Sequence, residues 1–170
     1  MNYLAQILGF IALIFIVFSY QNTEKKKFLL IQIFANIFFG LQYLTLKAFS
    51  AFSSSVISLI RTLVFFKYEK ENKKTPVIIL IIILIIISIF GVLTYDGIYS
   101  LIPIIIALAY SYGTWHNNLK LTYLIGIIAS LLWIYYNFLV GAYVSIIGSV
   151  FELSASTVGF IRLFKTKNKN

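Results

Sequence analysis

The chain contains no cysteine, which excludes disulfide frameworks, thiol catalysis and cysteine-based metal sites. Its one histidine, His116, cannot build a metal site by itself. Acidic residues are scarce as well, 5 against 14 Lys and Arg. No phosphate-binding loop, zinc-type ligand spacing or nucleophile beside a base is present, so neither catalysis nor a cofactor is expected. Proline occurs only at Pro76 and Pro103.

Apolar residues fill the space left by these absences. They make up 61% of the 170 residues, charged residues 11%, and mean hydropathy is +0.95. A soluble domain of this size could not bury so much apolar surface, so the expected solvent is a lipid bilayer. The net charge of +9 sits in short lysine clusters between apolar runs, a pattern of topology signals and not of nucleic-acid binding. The first apolar run begins at Tyr3 without a basic leader or a small-residue cleavage site and reads as a mature helix.

Seven segments, each about 17–22 residues long, suffice to cross about 30 Å of hydrocarbon as helices. They lie near Tyr3–Tyr20, Phe28–Leu46, Phe49–Phe66, Pro76–Thr94, Ile98–Thr114, Leu121–Val140 and Tyr143–Ile161. Lysines cluster after the first, third and fifth segments and in the tail, whereas the opposite side has Lys47 balanced by Asp96. By the positive-inside rule the N-terminus lies outside and the C-terminus in the cytoplasm.

The two halves resemble each other when shifted by 94 positions: Lys26, Leu30, Ile31, Ile33 and Ala35 pair with Lys120, Leu124, Ile125, Ile127 and Ala129. The same shift superposes the short turns at Lys47–Ala48 and Gly141–Ala142. The expected fold is all-α, with seven transmembrane helices in a 3+1+3 plan. Residues 1–70 form the first three-helix repeat, 71–96 a linker transmembrane helix, 97–164 the second repeat and 165–170 a basic cytoplasmic tail.

Polar residues within the apolar segments are the candidates for function. Gln32, Asn36, Gly40 and Tyr43 form one stripe on the second segment, and Ser130, Trp133, Asn137 and Gly141 a comparable one on the sixth. Ser54, Ser58 and Arg61 share a face of the third segment; Ser145, Ser149, Glu152 and Ser156 share one on the seventh. An intramembrane carboxylate is costly, and Glu152 lies too deep to reach either interface. Arg61 is its best partner in the sequence, although Arg61 is also near enough to Lys67 to snorkel. Tyr20, Tyr95, Tyr110, Tyr112, Trp115, Tyr123, Tyr135 and Tyr143 fall near segment ends and read as interfacial aromatics. Pro103 is placed to hinge the fifth segment.

Three motifs carry a family resemblance: Leu4-Ala5-Gln6 with Gly9, Ser58-x-x-Arg61-Thr62, and Trp133-x-x-x-Asn137-Phe138-x-x-Gly141. With this spacing the chain resembles the YgjV family of bacterial inner-membrane proteins from Tyr3 to Phe164. The resemblance implies the cytoplasmic membrane. Ser58 stands where the family pattern has Asn, so an amide role does not carry over. More distantly, the 3+1+3 plan looks like the SWEET, PQ-loop and PnuC-type carriers, without their Pro-Gln signature or repeated hinge prolines. The expected function is a carrier of a small polar solute. Arg61 and Glu152 orient or gate it, and Asn36, Tyr43, Ser58, Trp133 and Asn137 line its path. The alternative is a non-transporting scaffold, assembly partner or lipid-binding module. No long GxxxG face argues for a homo-oligomer.

Overall fold

A computed structural model describes residues 2–20, 25–116 and 119–167. Among these the chain forms seven α-helices: α1 (Tyr3–Tyr20), α2 (Lys25–Thr45), α3 (Phe49–Lys70), α4 (Val77–Leu93), α5 (Leu101–Trp115), α6 (Leu119–Val140) and α7 (Tyr143–Lys167). One 3-10 turn, Ile98–Ser100, leads into α5. The loop residues 21–24 and 117–118 and the tail residues 168–170 lie outside the described residues, as do the side chains of Tyr20 and Arg162. The expected basic tail is helical as far as Lys167.

The helices are not equally long. Four runs are long and apolar enough to cross a membrane: Lys26–Thr45, Phe49–Lys70, Tyr123–Val140 and Tyr143–Ile161. Tyr3–Ser19, Val77–Leu93 and Ile98–Gly113 are shorter apolar helices. Large apolar side chains such as Phe10, Phe34, Ile85, Leu131 and Phe151 are exposed on the outer faces, as lipid contact requires.

Helix contacts close into a ring. α1 packs on α2, α2 on α3, α3 on α5, α5 on α6, α6 on α7, and α7 back on α1. α4 lies outside the ring, against α3 and α5. Leu80, Ile83 and Ile87 point into that seam, whereas Ile78, Ile81, Ile82, Ile85 and Ile89 are exposed. Gly91 admits the side chain of Ile104, whose Cγ2 would lie 2.9 Å from an added Cβ. Leu29, Ile57, Phe65, Ile104 and Ala107 complete this core.

The turns after α2 and α6 are built alike. Lys47 (φ 58°) and Gly141 (φ 76°) occupy the left-handed region just past each helix. Ala48 N–H donates to Tyr43 O and Ala142 N–H to Asn137 O, both at 2.9 Å, which satisfies carbonyls that a helix end leaves open. Gln6 on α1 grips the second turn: its Nε2 donates to Gly141 O at 2.8 Å, and its Oε1 accepts from Val144 N–H at 3.1 Å.

Pro103 does not hinge α5. It is the third residue of the helix, where the missing N–H would have had no helical partner in any case. Its carbonyl instead accepts Ser54 Oγ at 3.1 Å and ties α5 to α3.

Candidate functional site

The ring encloses a cavity of about 550 Å³. All seven residues singled out in the sequence line it: Asn36 and Tyr43 from α2, Ser58 and Arg61 from α3, Trp133 and Asn137 from α6, and Glu152 from α7. Gln32, Ser54, Ser145, Ser149 and Ser156 add further polar lining. Gly40 and Ser130 of the expected stripes serve packing: Gly40 lies against Ser55, and Ser130 Oγ bonds back to Gly126 O.

At the end of the cavity nearest the two similar turns, α2 and α6 meet. Tyr43 O–H donates to Asn137 Oδ1 at 2.8 Å, and Asn137 Nδ2 donates to Ser149 Oγ at 3.4 Å. Tyr43 also stacks on Trp133, with ring centroids 5.8 Å apart. Ser50 and Tyr136 share a hydrogen bond of 3.0 Å behind this layer. Asn137 is 1% exposed and Tyr43 4%, so their mutual bond satisfies groups that would be expensive to leave unpaired. At the other end the lining includes Phe28 and Tyr123, in the first turns of α2 and α6, beside Lys26, Lys27 and Lys120.

The two charges sit between these ends. In the ring order α3 and α7 are opposite members, so Arg61 and Glu152 occupy facing walls. They do not bond to each other as the sequence suggested. Arg61 Nη1 donates to Ser111 Oγ at 3.1 Å, and Glu152 Oε1 accepts the Tyr110 hydroxyl. Successive residues of α5 therefore hold the opposite charges. Arg61 reaches inward to α5 and does not snorkel, because Ser111 offers a buried acceptor within its span. Asn36 Nδ2 donates to Thr62 Oγ1 at 3.4 Å, beside Arg61 on α3.

Sequence reasoning did not assign two tyrosines to the cavity and passed over two further polar residues. Tyr110 and Tyr123, read from the sequence as interfacial, line the cavity, whereas Tyr95, Tyr112, Tyr135 and Tyr143 are exposed. Tyr110 lies five residues inside the end of α5, and that was the available signal. Ser111 carried no signal. Gln42 is fully buried outside the cavity; its Oε1 accepts Ser145 Oγ at 2.6 Å, and its Nε2 has no hydrogen-bond partner among the described residues. Gly9 makes room for that amide, since a Cβ there would stand 2.4 Å from Nε2.

Many lining residues fall into pairs 94 positions apart, the separation of the bonded Tyr43 and Asn137. Gln32 corresponds to Gly126, Phe39 to Trp133, Ser55 to Ser149, Ser58 to Glu152 and Ile16 to Tyr110, and every one of them lines the cavity. Among the described residues no three of His, Cys, Asp and Glu cluster as a metal site would require.

Residues 3–170 match the Imp-YgjV family, described as a bacterial inner membrane protein. The chain belongs to this family. It is accordingly an integral, multi-pass protein of the bacterial inner membrane. No curated protein and no solved structure matches it. Two motifs of the family resemblance acquire physical roles in this fold. Gln6 and Gly9 serve the α1 junction, whereas Trp133, Asn137 and Gly141 build the end layer and its turn.

Proposed function

We propose that the protein carries a small polar solute across the inner membrane, with the central cavity as its site. One observation carries the reading: a largely apolar chain places two opposite charges, amides and hydroxyls around a single cavity of about 550 Å³, a size typical of small-molecule sites. The proposed moving parts are two parallel three-helix units, residues 1–70 and 97–164, linked by the transmembrane helix within 71–96. The paired lining residues, the two like turns and the matching contacts of α1 with α7 and α5 with α3 support this division. With the N-terminus outside, the Tyr43–Asn137 layer closes the outer end and the lysine-rich end faces the cytoplasm. Rocking of one unit against the other would break that layer and expose the cavity outward. No catalytic step is part of the proposal.

A solute screen in proteoliposomes tests it. Saturable uptake that is lost in Glu152→Gln is expected; failure of the wild type to move any solute overturns the proposal. The second reading is a non-transporting scaffold or lipid-binding module, favoured by the anchoring of both charges on α5. A stoichiometric partner that co-purifies, together with full function of an Arg61→Met/Glu152→Leu variant, would establish that reading.

A further inference from the structure

The charge arrangement narrows the class of solute. We propose that it is a small zwitterion, its carboxylate bound by Arg61 and its ammonium by Glu152. This rests on the carrier reading above.

Arg61 and Glu152 are the charged side chains among the lining residues, one of each sign. A solute with a single charge can pair with one of them, but that same charge then faces the like-charged other across the cavity, which is costly in a low-dielectric interior. A zwitterion compensates both. A neutral polyol can hydrogen-bond to both but carries no charge to match either.

The hydrogen bonding supports the same assignment. A guanidinium has five N–H donors in a planar fork suited to a carboxylate, and among the described residues the recorded partner of Arg61 is Ser111. That single bond fixes the side chain while leaving donors on the cavity side. Glu152 is steadied by Tyr110, and a carboxylate has roughly four acceptor positions, so an ammonium adds to that bond without replacing it.

Position supplies the third argument. The charges come from opposite ring members, one from each proposed three-helix unit. A solute that bridges them ties the two units together. Its binding then favours the closed arrangement over either open one, the differential affinity that a coupled conformational change needs. The stacked Trp133 and Tyr43 offer an apolar face for an uncharged side group on the solute.

The test uses the purified full-length protein in detergent and reads thermal stabilisation and binding. The probes are the common amino acids in pools, each compared with its N-acetyl derivative, which lacks the ammonium, and its methyl ester, which lacks the carboxylate. At least one amino acid should raise the unfolding midpoint, and both of its derivatives should bind at least about tenfold more weakly. In Glu152→Gln the preference over the N-acetyl form should disappear, and in Arg61→Gln the preference over the ester. The wild-type comparison stands without the variants if either fails to fold. The zwitterion is overturned if no amino acid stabilises the protein, or if a derivative binds as well as its parent. Uptake of a sugar or polyol in the proteoliposome screen would likewise reject the zwitterion while leaving the carrier intact.

Discussion

The two proposed three-helix units share helix register but differ in chemistry. α2 and α6 begin 94 positions apart, at Lys25 and Leu119, and so do α3 and α7, at Phe49 and Tyr143. Within that common frame the first unit supplies Arg61 and the second supplies Tyr110 and Glu152. Backbone features such as turn geometry and helix starts are shared, whereas the groups that would meet a solute are not. A scaffold can remain symmetric because apolar packing tolerates substitution, but two opposite charges require unlike halves.

Four perturbations would break or sharpen this comparison. The largest effect is expected at the Tyr43–Asn137 bond, where equivalent positions meet. Asn137→Leu leaves the Tyr43 hydroxyl buried without its acceptor and should cost about 1–3 kcal/mol, read as a lower unfolding midpoint in detergent. Tyr43→Phe should cost less, and the double variant should fall short of the sum of the two. Additive losses would mean that the bond does not couple the units.

Next is the contrast between Gln6 and its counterpart Ser100. Gln6 makes two bonds to the α6–α7 turn, whereas Ser100 bonds locally to Asp96 N–H and Gly97 O. Gln6→Ala should lower the midpoint by the equivalent of about 1–2 kcal/mol, and Ser100→Ala by about half that. Equal losses would remove the asymmetry between long-range and local ties.

The turns give a smaller pair of effects with opposite signs. Gly141→Ala places a Cβ in the left-handed region and should destabilise by about 1 kcal/mol, whereas Lys47→Gly relieves the same strain and should stabilise by less. Like signs for the two would show that the turns are not mechanically equivalent.

The smallest effect belongs to the exposed loop after α3, where Lys73 Nζ lies 2.9 Å from Glu71 Oε2. The hydrogen-bonded ammonium holds the Glu71 carboxyl below the usual carboxylate range. A depressed acid contributes stability above its unfolded pKa and loses it as pH falls through the folded value. Lys73→Gln should therefore raise the Glu71 pKa, seen by NMR titration, while the unfolding midpoint at neutral pH stays unchanged because the pair is solvated.

Helix positions were legible in the sequence because polar breaks in a lipid-soluble chain are few and each carries topology information. Ends were less so: α2, α3 and α7 extend past the apolar windows into lysine-flanked turns, since Lys and Arg are good helix formers. The cavity-lining faces were legible from spacing, as the stripe from Gln32 through Asn36 to Tyr43 shows. The partners of the charges were not. They depend on the order of helices around the ring, which places α5 beside α3 and brings Tyr110 and Ser111 between Arg61 and Glu152. Tyr110 read as interfacial because it lies close to the end of α5, and nearness to an end does not say which face of the helix a residue occupies.

The unequal helix lengths have a consequence for the surrounding lipid. α4 has 17 residues and α5 has 15, and they stand side by side, whereas α3 has 22. At 1.5 Å per residue, α4 spans about 25 Å and α3 about 33 Å, against a hydrocarbon core of about 30 Å. As membrane-crossing helices, α4 and α5 would require the bilayer to thin along their flank, or the protein to tilt and share the mismatch around its circumference. Thin bilayers should accommodate the molecule with less distortion than thick ones, so acyl-chain length is itself a variable that sets its orientation.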